Sequence, residues 1–80
     1  MPTIHLEKGF RFFFYSNEHL PKHIHVEGKG GELKIDLESL KVSYIYNFKK
    51  QDINAALEIV KQKRFYFLRK WDEYQGNENS

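Results

Sequence analysis

The sequence predicts an α+β domain: a small, mostly antiparallel sheet of about four strands packed against one long C-terminal helix. Three observations carry this. Residues 10–46 alternate polar and apolar side chains with a period of two, interrupted by turn residues. From Lys49 or Lys50 to Gly76 the apolar spacing becomes helical. The 80 residues suffice for one domain, 1–80, and no more.

The strands come first. Phe10 to Tyr15 is an aromatic, β-rich run. Ser16 to Lys22 holds Asn17 and Pro21 and reads as a loop. His23 to Glu27 alternates, Gly28-Lys29-Gly30-Gly31 is a hairpin turn, and Glu32 to Leu37 alternates again. Glu38 to Leu40 connects to a fourth strand, Lys41 to Tyr46, with Val42, Tyr44 and Tyr46 in phase. The helix stripe is Ile53, Ala56, Leu57, Val60, Phe67, Leu68, Trp71 and Tyr74. Asp52 suits the positive end of the helix dipole, and Gly76 suits a left-handed cap before a frayed tail, 76–80. Phe65 and Tyr66 lie off the stripe, free to cover a sheet edge or meet a partner.

Composition narrows the class. Hydrophobic residues at 40% and charged residues at 30% fit a folded chain rather than a disordered one. Seven Phe, five Tyr and one Trp suit a short chain, whose thin core gains most from large rings. The absence of cysteine excludes disulfides and thiolate metal sites and fits a reducing cytosol. No apolar run has membrane-spanning length, and Met1-Pro2-Thr3-Ile4-His5 lacks a signal-peptide pattern, so a cytoplasmic location without a membrane partner is expected. A net charge of +2 does not by itself indicate nucleic acid. Lys49, Lys50, Lys61, Lys63, Arg64, Arg69 and Lys70 read as a solvated helix face.

Strand parity assigns faces. Phe10, Phe12, Phe14, Ile24, Val26, Leu33, Ile35, Leu37, Val42, Tyr44 and Tyr46 are expected under the helix. Arg11, Phe13, Tyr15, His23, His25, Glu27, Glu32, Lys34, Asp36, Ser43 and Ile45 are expected on a second face, open to water, a subunit or a ligand. With the turn centred on Lys29 and Gly30, Val26 faces Leu33, Ile24 faces Ile35, His25 faces Lys34 and His23 faces Asp36.

Three of the four histidines fall within residues 19–25, and this segment carries the candidate chemistry. In the plainest reading His23 and His25 are half-buried polar residues, His23 pairing with Asp36. In a second, the face meets RNA. Arg11, Lys34 and Lys22 hold phosphate, Phe13 and Tyr15 stack bases, and His19 adds a contact. His23 and His25, with Asp36 orienting, then form a catalytic acid–base set. In a third, His23 and His25 bind a divalent metal with His19 or Glu27. That spacing is weakly specific, so no residue is assigned to a metal and no cofactor is expected. The glycine turn is followed by a strand rather than a helix, which excludes a phosphate-binding loop.

Several stretches together resemble one bacterial family. They are Met1-Pro2-Thr3-Ile4, Gly9-Phe10-Arg11-Phe12-Phe13-Phe14-Tyr15-Ser16-Asn17-Glu18-His19, Pro21, His23-Ile24-His25-Val26-Glu27, and Trp71, Glu73 and Tyr74. The family is called domain of unknown function 4160, and the resemblance covers nearly the whole chain. Lys49 departs from it, standing where the family commonly has a helix-capping serine. The family's name assigns no activity. Its genes often sit beside another small gene, an arrangement resembling a toxin–antitoxin pair. The resemblance thus implies a small protein partner encoded nearby. The expected function is a module that binds this partner, and RNA or the ribosome, through the sheet edge or open face. The alternatives are a histidine-dependent ribonuclease toxin and a divalent metal-binding protein. The two free sheet edges also allow a homodimer.

Overall fold

A computed structural model describes residues 3–76, and among them the fold is α+β with five strands and two helices. The strands are β1 (Thr3–Glu7), β2 (Phe10–Phe13), β3 (His23–Gly28), β4 (Gly31–Asp36) and β5 (Val42–Tyr46). The helices are α1 (Lys50–Gln62) and α2 (Arg64–Gln75). The strands form one open antiparallel meander in the order β1-β2-β3-β4-β5. The predicted frayed tail beyond Gly76, and Met1 and Pro2, lie outside the described residues. None of the described helices is long and apolar enough to cross a membrane.

The fifth strand corrects the expectation of four. Thr3-Ile4-His5-Leu6-Glu7 alternates polar and apolar, but over only five residues and without matching the core: His5 packs on Phe12 and Phe67 while Leu6 is 70% exposed. Lys8 and Gly9 provide the missing turn, with φ angles of 54° and 81°. Two successive positive φ values match the twist of a two-residue hairpin. The same geometry recurs at Lys29 and Gly30, with φ of 51° and 82°. There the pairing is the one the turn predicts: His23 with Asp36, Ile24 with Ile35, His25 with Lys34 and Val26 with Leu33. Gly31 tolerates no side chain, because a Cβ there would overlap the carbonyl oxygens of Tyr46 and Asn47.

β5 departs from the simple alternation. Val42 pairs with Ile35, but Tyr44 pairs with Lys34, so one extra residue is accommodated between the two pairs. Such a bulge reverses the phase of everything beyond it. Tyr44 and Tyr46 therefore lie beside Lys34 and Glu32 on the second face, not under the helices as expected. Ile45 moves the other way and pairs with Leu33.

The single long helix is also corrected. Lys63, at φ −108° and ψ 19°, separates α1 from α2. The break falls where the apolar stripe is interrupted by Lys61, Gln62, Lys63 and Arg64. Arg64 turns inward there, donating from Nε to Leu37 O at 2.7 Å and from Nη2 to Glu38 O at 2.8 Å. α1 buries Ala56, Ile59 and Val60, and α2 buries Phe67 and Trp71. Lys49 occupies the N-cap without a side-chain hydrogen bond, as its lack of a hydroxyl requires. Gly76 ends α2 with φ 80° but an extended ψ of 163°, so it is not the left-handed cap expected.

The core lies between the helices and one sheet face: Phe10, Phe12, Phe14, Ile24, Val26, Leu33, Ile35 and Leu37 meet the buried helix residues. Trp71 is fully buried, edge-on to Phe14 at 5.5 Å and 5.0 Å from the His23 ring. Trp71→Ala is expected to cost about 3–5 kcal/mol, comparable to the whole stability of a small domain. Urea denaturation checks this, and an unchanged midpoint would remove Trp71 from the core.

Candidate functional site

The second sheet face is not open at its β2–β3 end. After β2 the chain turns back over the sheet, carrying Tyr15 and Glu18 onto the face that holds Phe13, His23 and His25. Gln75 at the end of α2 fastens this loop twice: its Oε1 accepts from Glu18 N at 2.8 Å, and its Nε2 donates to Tyr15 O at 2.8 Å. Lys22 adds an ion pair to Asp72 at 3.0 Å. Beneath the loop, His23 and His25 retain only 4% and 7% of their exposure, and Phe13 is buried as well. The expected open, solvated histidine face is thus corrected to a covered one. Parity along the strands groups His25 with Phe13 and Tyr15, but it shows neither the loop folding across this face nor the contact of the His23 ring with Trp71 of α2.

Glu18 is the residue strand spacing misses. Its Oε1 lies 2.6 Å from His23 Nε2 and 3.0 Å from His25 Nε2. The opposite ring nitrogens are also engaged. His23 Nδ1 lies 2.7 Å from Pro21 O, and His25 Nδ1 lies 3.2 Å from Glu32 Oε2. A carbonyl oxygen only accepts, so Nδ1 of His23 carries the hydrogen. Its Nε2 then faces the carboxylate oxygen that also faces His25. One donor atom each from Glu18, His23 and His25 lies within 4.8 Å of the others, so these are residues that could hold a metal. His25 is further held by Phe13, stacked at 5.4 Å, and by Tyr15, edge-on at 4.5 Å.

The charges follow this geometry. Burial pushes the Glu18 carboxyl up, but hydrogen bonds from His25, His23 and the Tyr15 N–H outweigh it and hold the group below its ordinary value. Burial and the neighbouring Glu32 carboxylate push the Tyr15 phenol up. Tyr15 Oη lies 3.2 Å from both Glu32 oxygens.

The remaining predicted site residues are engaged elsewhere. Asp36 stands opposite His23 in the register but does not orient its ring. Its Oδ1 accepts from the N–H groups of Glu38 and Ser39, each at 2.8 Å, and so shapes the turn after β4. The Ser39 N–H foremost, then the Glu38 N–H, hold its carboxyl low against a smaller upward push from burial. Arg11 donates to Thr3 at 2.8 Å and Glu27 at 3.0 Å, and lies 4.2 Å over the Phe13 ring. Glu27, offered by the sequence as a metal ligand, is therefore paired with Arg11. His19 is exposed in the loop, outside the Glu18 cluster. Lys34 is half-buried beside Tyr44. Arg11 and Lys34 are thus interleaved with Glu27, Glu32 and Asp36, which gives phosphate no positive field on this face.

Two outcomes follow. Glu18→Ala leaves two buried imidazoles without their shared carboxylate. It is expected to cost about 3–5 kcal/mol, against less than about 0.5 for Glu58→Ala on the exposed surface. Chemical denaturation distinguishes them, and equal costs would place Glu18 outside the buried network. For Asp36, the folded carboxyl titrates below its unfolded value. Its contribution is therefore full above about pH 4 and is lost as pH falls through the lower folded value. The stability gap between the native chain and Asp36→Asn should close on acidification, and a gap independent of pH would refute the assignment.

Comparison with known proteins gives a family and no activity. No curated protein and no solved structure matches the chain. A family model described as "Domain of unknown function (DUF4160)" matches residues 9–72, a span from the turn before β2 into the last turn of α2 that includes Glu18, His23 and His25. The chain belongs to the family called domain of unknown function 4160.

Proposed function

We propose that this protein is the protein-binding member of a small two-protein pair of the toxin–antitoxin kind, docking its partner by strand addition along β5 and the adjoining second face. One observation carries the reading: β5 is a terminal strand whose outer edge pairs with no strand among the described residues, and only the bulge after Val42 interrupts it. Edge strands are ordinarily blunted by charge or proline. Val42-Ser43-Tyr44-Ile45-Tyr46 contains neither. Tyr44, Ile45 and Tyr46 are 51%, 54% and 59% exposed on it. Main-chain hydrogen bonds along such an edge supply affinity, and the alternating side chains supply specificity. Because of the bulge, the two tyrosines point to the second face and extend the contact there. Lys41, Lys49 and Lys50 flank the strand, which favours a partner strand with acidic ends.

A protein partner is better supported than RNA, since the cations of the second face are paired or interleaved with carboxylates. The ribonuclease alternative needs an imidazole with a nitrogen free for substrate. Both rings are buried with all four nitrogens engaged.

The test is co-expression with the small neighbouring gene product that the family resemblance implies. Ile45→Lys and Tyr46→Glu should fold as the native chain does, while partner affinity falls about tenfold or more, roughly 1.4 kcal/mol. Growth inhibition on expression, relieved by the neighbour, would give the pair its toxin–antitoxin character. Unchanged partner affinity in both variants would overturn the β5 reading. Concentration-dependent self-association lost in the same variants would instead assign the edge to a second copy.

A further inference from the structure

We propose that Glu18 Oε1, His23 Nε2 and His25 Nε2 form a binding site for one divalent first-row transition cation of the zinc class. The first support is convergence, since the three donor atoms lie within 4.8 Å of one another. Two imidazole nitrogens with one carboxylate oxygen is a donor set that suits zinc and its neighbours and discriminates against magnesium and calcium, which prefer oxygen throughout.

The second support is independent, and lies in what the outer ring nitrogens do. Imidazoles that bind a metal nearly always donate their other N–H to a carbonyl or carboxylate, which sets the tautomer and aims the lone pair. His23 Nδ1 meets the Pro21 carbonyl at 2.7 Å, and His25 Nδ1 meets the Glu32 carboxylate at 3.2 Å. With Nδ1 so occupied, a neutral ring would turn an Nε2 lone pair toward the point where both rings meet Glu18 Oε1. Without a metal the Nε2 atoms meet Glu18 Oε1 as hydrogen-bond donors, at 2.6 Å and 3.0 Å; a dication takes the place of those protons and satisfies all three donor atoms at once. A dication there is balanced by the Glu18 and Glu32 carboxylates.

The surroundings are built to hold this arrangement. Phe13 and Tyr15 pack against the His25 ring, Trp71 lies against His23, and Gln75 fixes the Glu18 backbone. Three protein ligands leave a fourth position for water, the pattern of an open rather than a closed zinc site. Glu32 is a positioning residue here, acting through His25.

The test uses the full chain stripped with chelator and titrated with Zn²⁺ or Co²⁺. One Zn²⁺ per chain is expected, raising the melting temperature. Co²⁺ should give visible d–d bands of the intensity of a four-coordinate site, displaced by Zn²⁺ and not by Mg²⁺ or Ca²⁺. Glu18→Gln and His25→Ala should abolish tight binding. Glu32→Gln should weaken it about 10- to 100-fold without removing the bands, whereas His19→Ala and His5→Ala should change nothing. Should a ligand variant fail to fold, the Co²⁺ spectrum and melting shift of the native chain still decide. No melting shift and no four-coordinate spectrum in the native chain would overturn the proposal. So would binding lost in His19→Ala but retained in Glu18→Gln.

Discussion

A sheet has two faces, and this chain has helix enough for one. The remainder of the structure follows from that constraint. α1 and α2 cover the face of Phe12, Ile24, Val26, Leu33 and Ile35, and their apolar surface is spent there. The opposite face carries a buried-type residue, Phe13, and two imidazoles. It is closed at one end by nine residues of loop, 14–22, rather than by a third helix. A loop offers little apolar area, so polar groups do the covering, and every polar group so buried must find a partner. Glu18 is the group that meets this demand for both histidines at once. Gln75 satisfies the loop's own backbone from the far end of α2.

The covered and uncovered parts of that face therefore have different chemistry. Near β2 and β3 it is buried and fixed, with ring nitrogens and carboxylate oxygens held at hydrogen-bond distance. Such an arrangement suits a bound cation better than a large substrate. Near β5 the face is exposed among the described residues, and the bulge turns Tyr44 and Tyr46 outward onto it. Aromatic side chains beside an unpaired strand edge suit another protein chain. The two proposals occupy different ends of one sheet and depend on different residues, so either can stand without the other.

α2 links them to the fold as a whole. Arg64 at its start holds the β4–β5 connection through two carbonyls, and Gln75 at its end holds the loop above the histidines. Trp71 lies between, touching the core through Phe14 and the site through His23. Its indole N–H meets no hydrogen-bond acceptor among the described residues, an unusual cost for a buried donor. The position is thus set by ring packing rather than by polar contact. The break at Lys63 gives α2 its own direction, so one continuous helix is not required to satisfy both ends.

The amino-acid sequence alone dictates the α+β class, the central hairpin and its register, and the residues of the main core, because these rest on local periods and turn chemistry. Lys29-Gly30 permits the positive φ values of a tight turn, and the apolar pairs then match only in one register. It also placed His23 and His25 together, since alternate strand residues share a face. It did not declare β1, whose alternation is short and turns His5 rather than Leu6 toward the core rings, nor the bulge in β5, because the extra residue carries no signature in Val42-Ser43-Tyr44. Tertiary structure alone decided the rest. Glu18 meets His23 and His25 only because the loop folds back under the grip of Gln75, a partner 57 residues away. Asp36, well placed by register, was claimed instead by the N–H groups of the turn beside it. Strand periodicity records which side of the sheet a residue faces. Which side chain arrives to meet it is set by closure of the chain, a long-range event with no local period.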